Sequence, residues 1–230
     1  TAENVAKKFN LSRKAQQEFA IKSHANAVKA QKSKSFHDEI TIIKKNDIQV
    51  SEDGGIRPNT SQEILDNLKL VFDENGTITA GTASPLTDGA AATLICEEEY
   101  AKANKLPILA RIKSTAVQGC PPELMGLGPI NASRKALNRA NLTIDDIDVV
   151  ELNEAFASQS IACIQELNIN PDIVNMEGGA IALGHPLGAT GTRITAKAAS
   201  LMVKKNKKYA LATQCIGLGQ GIATVLERVE

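Results

Sequence analysis

Apolar residues in the first third of the chain recur at helical spacing and then give way to loop-forming residues. Between residues 11 and 31 they are three and four positions apart, which predicts a helix with Ser12 as its N-cap. Residues 1–50 as a whole predict helix. Residues 51–85 contain Asp-Gly-Gly, Arg-Pro-Asn and Glu-Asn-Gly clusters typical of loops, interrupted by a short helix at 63–70.

After Thr87, apolar runs of strand length alternate with longer helical patterns. The predicted strands are 91–96, 108–114, 147–152, 173–176, 210–215 and 222–228. The predicted helices are 97–104, 132–140, 154–167 and 191–204. Strands that alternate with helices of this length indicate a mixed α/β layer fold.

The composition excludes several classes of protein. The 230 residues carry 26 Lys plus Arg against 26 Asp plus Glu, so the formal net charge is zero, which argues against a nucleic-acid binder. No stretch approaches the roughly 20 apolar residues of a membrane helix. Residues 1–50 do carry ten basic against five acidic residues. This excess indicates either a solvated helix face or a rim that meets an anionic ligand.

The four cysteines lie in unrelated contexts without a CxxC pair. We therefore expect no zinc site and no disulfide framework, and reduced thiols in a reducing compartment, the cytoplasm. The chain begins with Thr1, so we expect that its start was removed or that it is a piece of a longer protein.

Candidate chemistry is concentrated in the last quarter of the chain, where eight of the 16 glycines lie between residues 178 and 221. His185 stands between Gly184 and Pro186, a context that favours a catalytic role over packing. Cys215 ends an apolar strand at the mouth of a second glycine-rich turn. There it serves acid/base or nucleophilic chemistry, or is a small buried apolar residue.

Asn153 marks a third candidate position, where a predicted strand ends and a helix follows. One interpretation is that it caps the helix. The other is that its side chain points from the end of the strand at a reacting centre.

Three segments together carry a family resemblance. Asn-Glu-Ala-Phe-Ala (153–157), Gly-Gly-Ala-Ile-Ala-Leu-Gly-His-Pro-Leu-Gly (178–188) and Cys-Ile-Gly-Leu-Gly-Gln-Gly (215–221) resemble the thiolases in sequence, order and separation. The segments at 79–90 and 125–129 are similar to the family as well. The resemblance implies the layered α/β/α/β/α thiolase fold, and here only the loop domain and the C-terminal half of it.

The same resemblance implies a domain division. Residues 1–85 correspond to the CoA-binding loop domain, and residues 86–107 to a strand and helix that return to the N-terminal half. Residues 108–230 correspond to the thiolase C-terminal domain.

Roles for individual residues also come from the resemblance. His185 activates a nucleophile and helps hold the thioester oxygen, and Cys215 is the acid/base at the α-carbon. Asn153 positions a water in one oxyanion hole, and the Gly217 N–H contributes to the second. The resemblance places four residues at the substrate: Ser84 on the pantetheine path, Met125 and Phe156 in the acyl pocket, and Arg57 at the nucleotide phosphates.

One expected residue is absent. Thiolases use a nucleophilic cysteine in a Cys-x-Ser-Gly context, which Cys96, Cys120 and Cys163 all lack. We therefore expect the nucleophile outside this chain, in an N-terminal half that is its partner, and this chain alone to be inactive. Cys96 and Cys163 are expected to be core thiols. Leu218 stands where many relatives have glycine.

The function implied by the resemblance is acyl transfer with coenzyme A. The first interpretation is condensation of two acetyl-CoA to acetoacetyl-CoA and CoA, or the reverse thiolysis. The alternatives are a degradative 3-ketoacyl-CoA thiolase of longer chain range and a non-catalytic thiolase-like protein that binds acyl-CoA or lipid. CoA is then a substrate with no metal or bound cofactor, and the complete protein is a homodimer or homotetramer.

Overall fold

The structure, a computed structural model, describes residues 1–229. Helices and strands alternate in it, as the mixed α/β pattern predicts. The helices are α1 (Ala2–Lys8), α2 (Arg13–Lys32), α3 (Gln62–Asp66), α4 (Glu98–Ala103), α5 (Gly128–Ala140), α6 (Ala157–Glu166), α7 (Ala180–Leu183) and α8 (Thr190–Lys204). The strands are β1 (Ile43–Lys45), β2 (Ile48–Val50), β3 (Arg111–Gly119), β4 (Val149–Leu152), β5 (Tyr209–Ile216) and β6 (Gln220–Glu227). Short 3-10 helices span Ala80–Thr82, Pro122–Leu127 and Ile144–Asp146.

A four-stranded sheet with the order β3-β6-β5-β4 forms the centre of the C-terminal part. β5 pairs with β6 through the tight turn between them, and β6 pairs with β3, both antiparallel. β4 and β5 are parallel, with Leu152 opposite Thr213. The carboxyl ends of β4 and β5 therefore meet at one edge of the sheet.

Helices cover both faces of this sheet because side chains alternate along each strand. Val150, Leu152 and Leu211 face a core shared with α5 and α6. Val149 and Ala210 face the opposite way, into a core shared with α8. This arrangement confirms the layered α/β architecture for the part of the fold that the chain contains.

Helix α2 joins the N-terminal part to the sheet layers. Its N-cap is Ser12, as predicted, with the Ser12 hydroxyl accepting from the Ala15 N–H at 3.1 Å. Ala20 on α2 packs with Ala157 on α6 and Ile181 on α7. This packing holds α7, which precedes the candidate histidine, against the loop-rich region.

Three sequence predictions about secondary structure are wrong. Residues 91–96 form no strand, because the described chain offers them no pairing strand, and Cys96 is consequently exposed rather than a core thiol. Residues 173–176 contribute only a single parallel bridge, Val174 to Val150. Residues 33–50 are not helical: 33–39 form turns, and β-branched residues in the following segment form the exposed hairpin β1–β2.

Among residues 1–229, no helix combines the length and apolar character needed to cross a membrane.

Candidate active site

Asn153 and Cys215 lie at the sheet edge where the parallel strands β4 and β5 end. The Asn153 backbone N–H donates to the Thr213 carbonyl at 3.0 Å, which extends the pairing by one residue and sets Asn153 beside the end of β5. The capping interpretation of Asn153 is wrong. Helix α6 begins only at Ala157, with the extended residue Phe156 at its N-cap, three positions after Asn153.

His185 lies in the loop between α7 and α8 and is fixed at three atoms. Its backbone N–H donates to Thr87 Oγ1 at 3.2 Å, and its Nδ1 is 2.7 Å from Thr190 Oγ1. Its Nε2 is 3.3 Å from Asn153 Nδ2. The structure thus brings His185 and Asn153 together, although 31 residues separate them in the sequence.

The hydrogen bonds around His185 favour one tautomer of its ring. The Thr190 hydroxyl donates to the Pro186 carbonyl at 3.0 Å, so its oxygen is available to accept from a proton on Nδ1. Nε2 then carries a lone pair, which accepts from the Asn153 amide. Burial, with a smaller contribution from the charge of Arg193, lowers the pKa of His185. The imidazole is therefore neutral near pH 7, with Nε2 as the basic atom.

Cys215 is buried at the end of β5. Burial raises its pKa to about 11, and the neighbouring Cys120 adds a smaller rise. Cys215 is thus a protonated thiol at neutral pH. It can act first as a general acid, and the thiolate that results can then act as a base. Within residues 1–229, no hydrogen bond joins it to His185 or Asn153.

Two other cysteines, Cys163 and Cys120, also lie near the sheet. Cys163 is buried against the Gly126 carbonyl, which confirms the prediction that it is a core thiol. Burial raises its pKa. Cys120 is partly exposed, with Sγ 3.8 Å from the Met125 carbonyl oxygen, and burial raises its pKa too. A raised pKa disfavours the thiolate that a nucleophile requires.

The turn between β5 and β6 carries Gly217 and packs against the segment that holds Met125. Gly217 is exposed, and a Cβ on it would meet no atom within 4 Å. Gly219 has φ +98°, and a Cβ there would overlap the Cys120 carbonyl. The Cys120 N–H donates to the Gly219 carbonyl at 2.8 Å. The glycine at 219 therefore allows the turn to approach this segment closely.

Ser84 and Phe156 lie together beside the end of β4. The Ser84 N–H and Oγ both donate to the Ala155 carbonyl, at 3.1 and 3.3 Å, and Ala83 forms a bridge with Phe156. The Phe156 ring is edge-on to that of Phe72, with 6.1 Å between the ring centroids.

Arg57 lies apart from this group. It is exposed, and its backbone N–H donates to His24 Nδ1 at 3.2 Å. Burial lowers the pKa of His24, and the charge of Arg57 lowers it further. No hydrogen bond in the described part of the chain joins Arg57 to the other predicted site residues.

Sequence reasoning missed the residues that hold the site in place. Thr190 orients the ring of His185, and Thr87 holds its backbone. Glu154 is fully buried beside Asn153. The sequence contains a signal for Glu154. This residue stands between an apolar strand and an apolar helix, and a carboxylate buried in such surroundings nearly always has partners.

In residues 1–229, no group of three His, Cys, Asp or Glu side chains is arranged to hold a metal ion. The structure brings together a neutral imidazole and an amide, and it places a buried thiol at the end of the neighbouring strand β5. An imidazole, an amide and a thiol are groups that general acid/base chemistry uses.

Comparison with known families identifies the family of the chain. Residues 106–228 match the family model "Thiolase, C-terminal domain", and residues 1–99 match "Thiolase, N-terminal domain". The chain belongs to the thiolase family.

Individual relatives give the extent of the similarity. The chain is 52% identical to the 3-ketoacyl-CoA thiolase of Shewanella loihica over 99% of its own length and 61% of that protein. It is 50% identical to the 3-ketoacyl-CoA thiolase of Shewanella denitrificans over 100% of its length and 62% of that protein. The chain thus spans about three fifths of these relatives.

Two solved structures share the fold. The Bacillus anthracis acetyl-CoA acetyltransferase matches 99% of the chain with a TM-score of 0.95 and 38% identity, over 59% of that protein. Human mitochondrial 3-ketoacyl-CoA thiolase in complex with CoA matches 99% of the chain with a TM-score of 0.93 and 39% identity, over 58% of that protein. The thiolase fold inferred from the motifs is confirmed.

Proposed function

We propose that this chain supplies the acid/base residues and CoA-binding surface of a 3-ketoacyl-CoA thiolase. The observation that carries the proposal is the buried Cys215 thiol at the same sheet edge as the His185–Asn153 pair. Cleavage of a 3-ketoacyl-CoA requires a proton donor for the α-carbon of the departing acetyl-CoA. A thiol with a pKa of about 11 is protonated at neutral pH and can be that donor. Relatives at about half identity bear the name 3-ketoacyl-CoA thiolase, which supports this direction over the condensation expected first.

The proposed reaction begins with the nucleophilic cysteine that the family carries in its N-terminal half. Its thiolate adds to the C3 carbonyl of the substrate, and the C2–C3 bond breaks. The electrons of that bond form the enolate of acetyl-CoA, which takes the proton of Cys215 Sγ. A free CoA then gives its thiol proton to the Cys215 thiolate, and its sulfur attacks the acyl-cysteine to release the shortened acyl-CoA. The nucleophilic cysteine leaves as a thiolate and takes its proton back from His185, which restores both residues.

His185 and Asn153 stabilise the oxygen charge that develops in this sequence. The neutral His185 ring first takes the nucleophile's proton at Nε2 and, once protonated, donates to the thioester oxygen. Asn153 Oδ1 is buried without a hydrogen-bond partner in residues 1–229. An acceptor in that position is unfavourable until a donor meets it, which supports a role in orienting a water beside the substrate. The Gly217 N–H is the proposed second donor.

The proposal assigns CoA as a substrate, with no resident cofactor. Ser84 and Phe156 lie beside the end of β4, and Met125 beside the β5–β6 turn, which supports their assignment to the pantetheine path and acyl pocket. Arg57 is proposed to meet the nucleotide phosphates, a role consistent with its exposure. A cytoplasmic location and a homodimer or homotetramer complete the proposal.

Condensation of two acetyl-CoA is the second candidate. The similarity to the Bacillus anthracis acetyl-CoA acetyltransferase, at 38% identity and a TM-score of 0.95, favours it. The same residues serve both directions, because Cys215 then removes the proton that it gives in cleavage.

The experiment is a fusion protein in which the N-terminal segment of the Shewanella loihica relative precedes Thr1. We expect CoA-dependent thiolysis of 3-ketoacyl-CoA, followed by loss of the 3-ketoacyl absorbance, with longer chains cleaved at least as fast as acetoacetyl-CoA. A fusion protein with His185→Ala should lose on the order of 10²–10³ in rate.

Cleavage of acetoacetyl-CoA alone would favour the second candidate. A folded fusion protein that binds acyl-CoA without any turnover would overturn the proposal in favour of the non-catalytic alternative.

A further inference from the structure

Glu154, next to Asn153, has a carboxylate that three elements of the fold contact. It is buried, and its Oε2 accepts from Ser23 Oγ on α2 at 2.7 Å and from the Ile181 N–H on α7 at 3.1 Å. Its Oε1 accepts from Asn175 Nδ2 at 2.8 Å. One side chain therefore connects the end of β4 to α2, to α7 and to the loop at 175.

These partners are all donors, so they require an acceptor at each contact. Asn175 cannot turn its amide around, because its Oδ1 accepts from the Leu152 N–H at 2.9 Å and its Nδ2 also donates to the Leu152 carbonyl at 2.8 Å. Burial raises the pKa of Glu154, and the hydrogen bonds from Ser23, Asn175 and Ile181 oppose that rise. The geometry suits an ionised carboxylate, which accepts at both oxygens.

Gly179 brings the start of α7 against this carboxylate. A Cβ on Gly179 would overlap the Glu154 carboxyl group, and the Gly179 N–H donates to Ser23 Oγ at 3.1 Å. Ser23 thus satisfies the N–H of the N-cap residue of α7, and Glu154 satisfies an N–H in its first turn that has no partner within the helix.

Gly179 is six residues before His185, and hydrogen bonds hold the short path between them. The Gly184 N–H donates to the Ala180 carbonyl at 2.8 Å, and the His185 N–H is held by Thr87. Asn153, which contacts His185 Nε2, is covalently joined to Glu154. Glu154 therefore links the end of β4, which carries Asn153, to α7, which leads to His185.

We propose that Glu154 is a positioning residue that sets the contact between Asn153 and the His185 ring by tying the start of α7 to the end of β4. This inference rests on the proposed thiolase function for its kinetic consequences only. Its structural content, the place and tautomer of the His185 ring, stands without turnover.

Glu154→Gln in the fusion protein is the first test. One oxygen is replaced by a donor that faces other donors, so α7 shifts relative to β4. Because a misplacement of about 1 Å can cost on the order of 10²-fold in rate, we expect kcat to fall by about that factor while KM for the acyl-CoA changes little. Ser23→Ala, which removes one donor and keeps the carboxylate, should give a smaller loss of the same kind.

Glu3→Gln is the matched control. Glu3 on α1 is also a buried carboxylate that accepts from backbone N–H groups, those of Thr77 and Ile78, both at 2.8 Å. Its loss should lower the thermal unfolding temperature as much as the Glu154 change does and leave kcat unchanged.

¹⁵N NMR of the His185 ring separates this inference from the proposed function. The unaltered protein and Glu3→Gln should show the Nδ1–H tautomer, whereas Glu154→Gln and Ser23→Ala should show a mixture of both tautomers. An unaltered tautomer and unchanged kcat in a folded Glu154→Gln protein would overturn the inference. If that variant does not fold, an unaltered tautomer in Ser23→Ala overturns it. If the unaltered fusion protein has no turnover, the proposed function fails and the NMR comparison still decides the role of Glu154.

Discussion

Burial keeps both titratable groups of the candidate site uncharged near pH 7. For His185 it lowers the pKa, so the ring is a base at rest. For Cys215 it raises the pKa to about 11, so the thiol is an acid at rest. A neutral base and a neutral acid at one sheet edge suit a reaction in which charge develops on the substrate and is then removed.

Cys215→Ala tests the division of labour between these groups. In the fusion protein this change should abolish cleavage and formation of the C–C bond, because the α-carbon loses its proton donor and acceptor. Acylation of the N-terminal cysteine by acetyl-CoA should slow but stay measurable, since that step moves no proton at carbon and the CoA sulfur can leave as a thiolate without the proton of Cys215. Trapping of radiolabelled acetyl-enzyme measures it, with Cys163→Ala as the control for loss of a buried thiol.

Loss of acyl-enzyme to the same extent as C–C bond cleavage in Cys215→Ala would contradict the assignment of this thiol to the proton transfer at carbon.

At the scale of elements, strand β4 carries a second buried carboxyl group. Glu151 lies on the face of β4 that packs against α8, and its Oε1 has no hydrogen-bond partner in the described residues. Burial raises its pKa to about 8, against the smaller opposing effects of Arg193 and Lys197. Lys197 is already paired with Glu39 at 2.8 Å and with Glu177.

Glu151→Gln should therefore change how stability depends on pH. The folded protein holds the Glu151 proton more tightly than the unfolded chain, whose pKa is near 4.5. The stability that this proton contributes is complete below pH 4.5 and is lost as pH rises through about 8. Each unit of pKa shift is worth about 1.4 kcal/mol. In urea unfolding we expect the variant to gain stability relative to the unaltered protein between pH 5 and pH 9.

Glu74→Gln, at an exposed position, is the control and should leave the pH dependence unchanged. A constant difference between Glu151→Gln and the unaltered protein across this pH range would contradict the raised pKa.

Elements with strong periodicity could be predicted from the sequence, and those decided by tertiary partners could not. Helix α2 with its Ser12 cap and the pair β5–β6 have patterns that stand alone. Residues 91–96 have a strand pattern, but a strand also requires a neighbour to pair with. The site followed the same rule. His185 and Cys215 were visible from their glycine-rich contexts, while Thr190 and Glu154 matter through contacts between distant segments.

At the scale of the whole molecule, residues 84–97 run over the surface without regular structure. Leu86, Leu94 and Ile95 in this segment are exposed, and so are Ile112 and Val117 on the edge strand β3. Exposed apolar groups and an unpaired strand edge favour association.

We expect the 230-residue chain alone to self-associate and to bind an apolar dye, and the fusion protein to do so much less. Sedimentation and dye fluorescence measure the two properties. In the isolated chain, Leu94→Asp combined with Ile95→Asp should reduce both dye binding and self-association. The control Ile48→Asp, on the separate β1–β2 hairpin, should leave both properties as they are in the unaltered chain. A monomeric isolated chain that unfolds cooperatively and turns over substrate would contradict the expectation that the nucleophile lies outside it.

The close contact between Gly179 and the Glu154 carboxyl group has an evolutionary consequence, and Gly76 repeats it at Glu3. A side chain at either glycine has no room while the glutamate keeps its hydrogen bonds, and a shorter acid at 154 would leave a void that glycine cannot fill. The two members of each pair are thus epistatic. Over long divergence they should change together or stay fixed together, so that the tolerance of one position is set by the residue at the other.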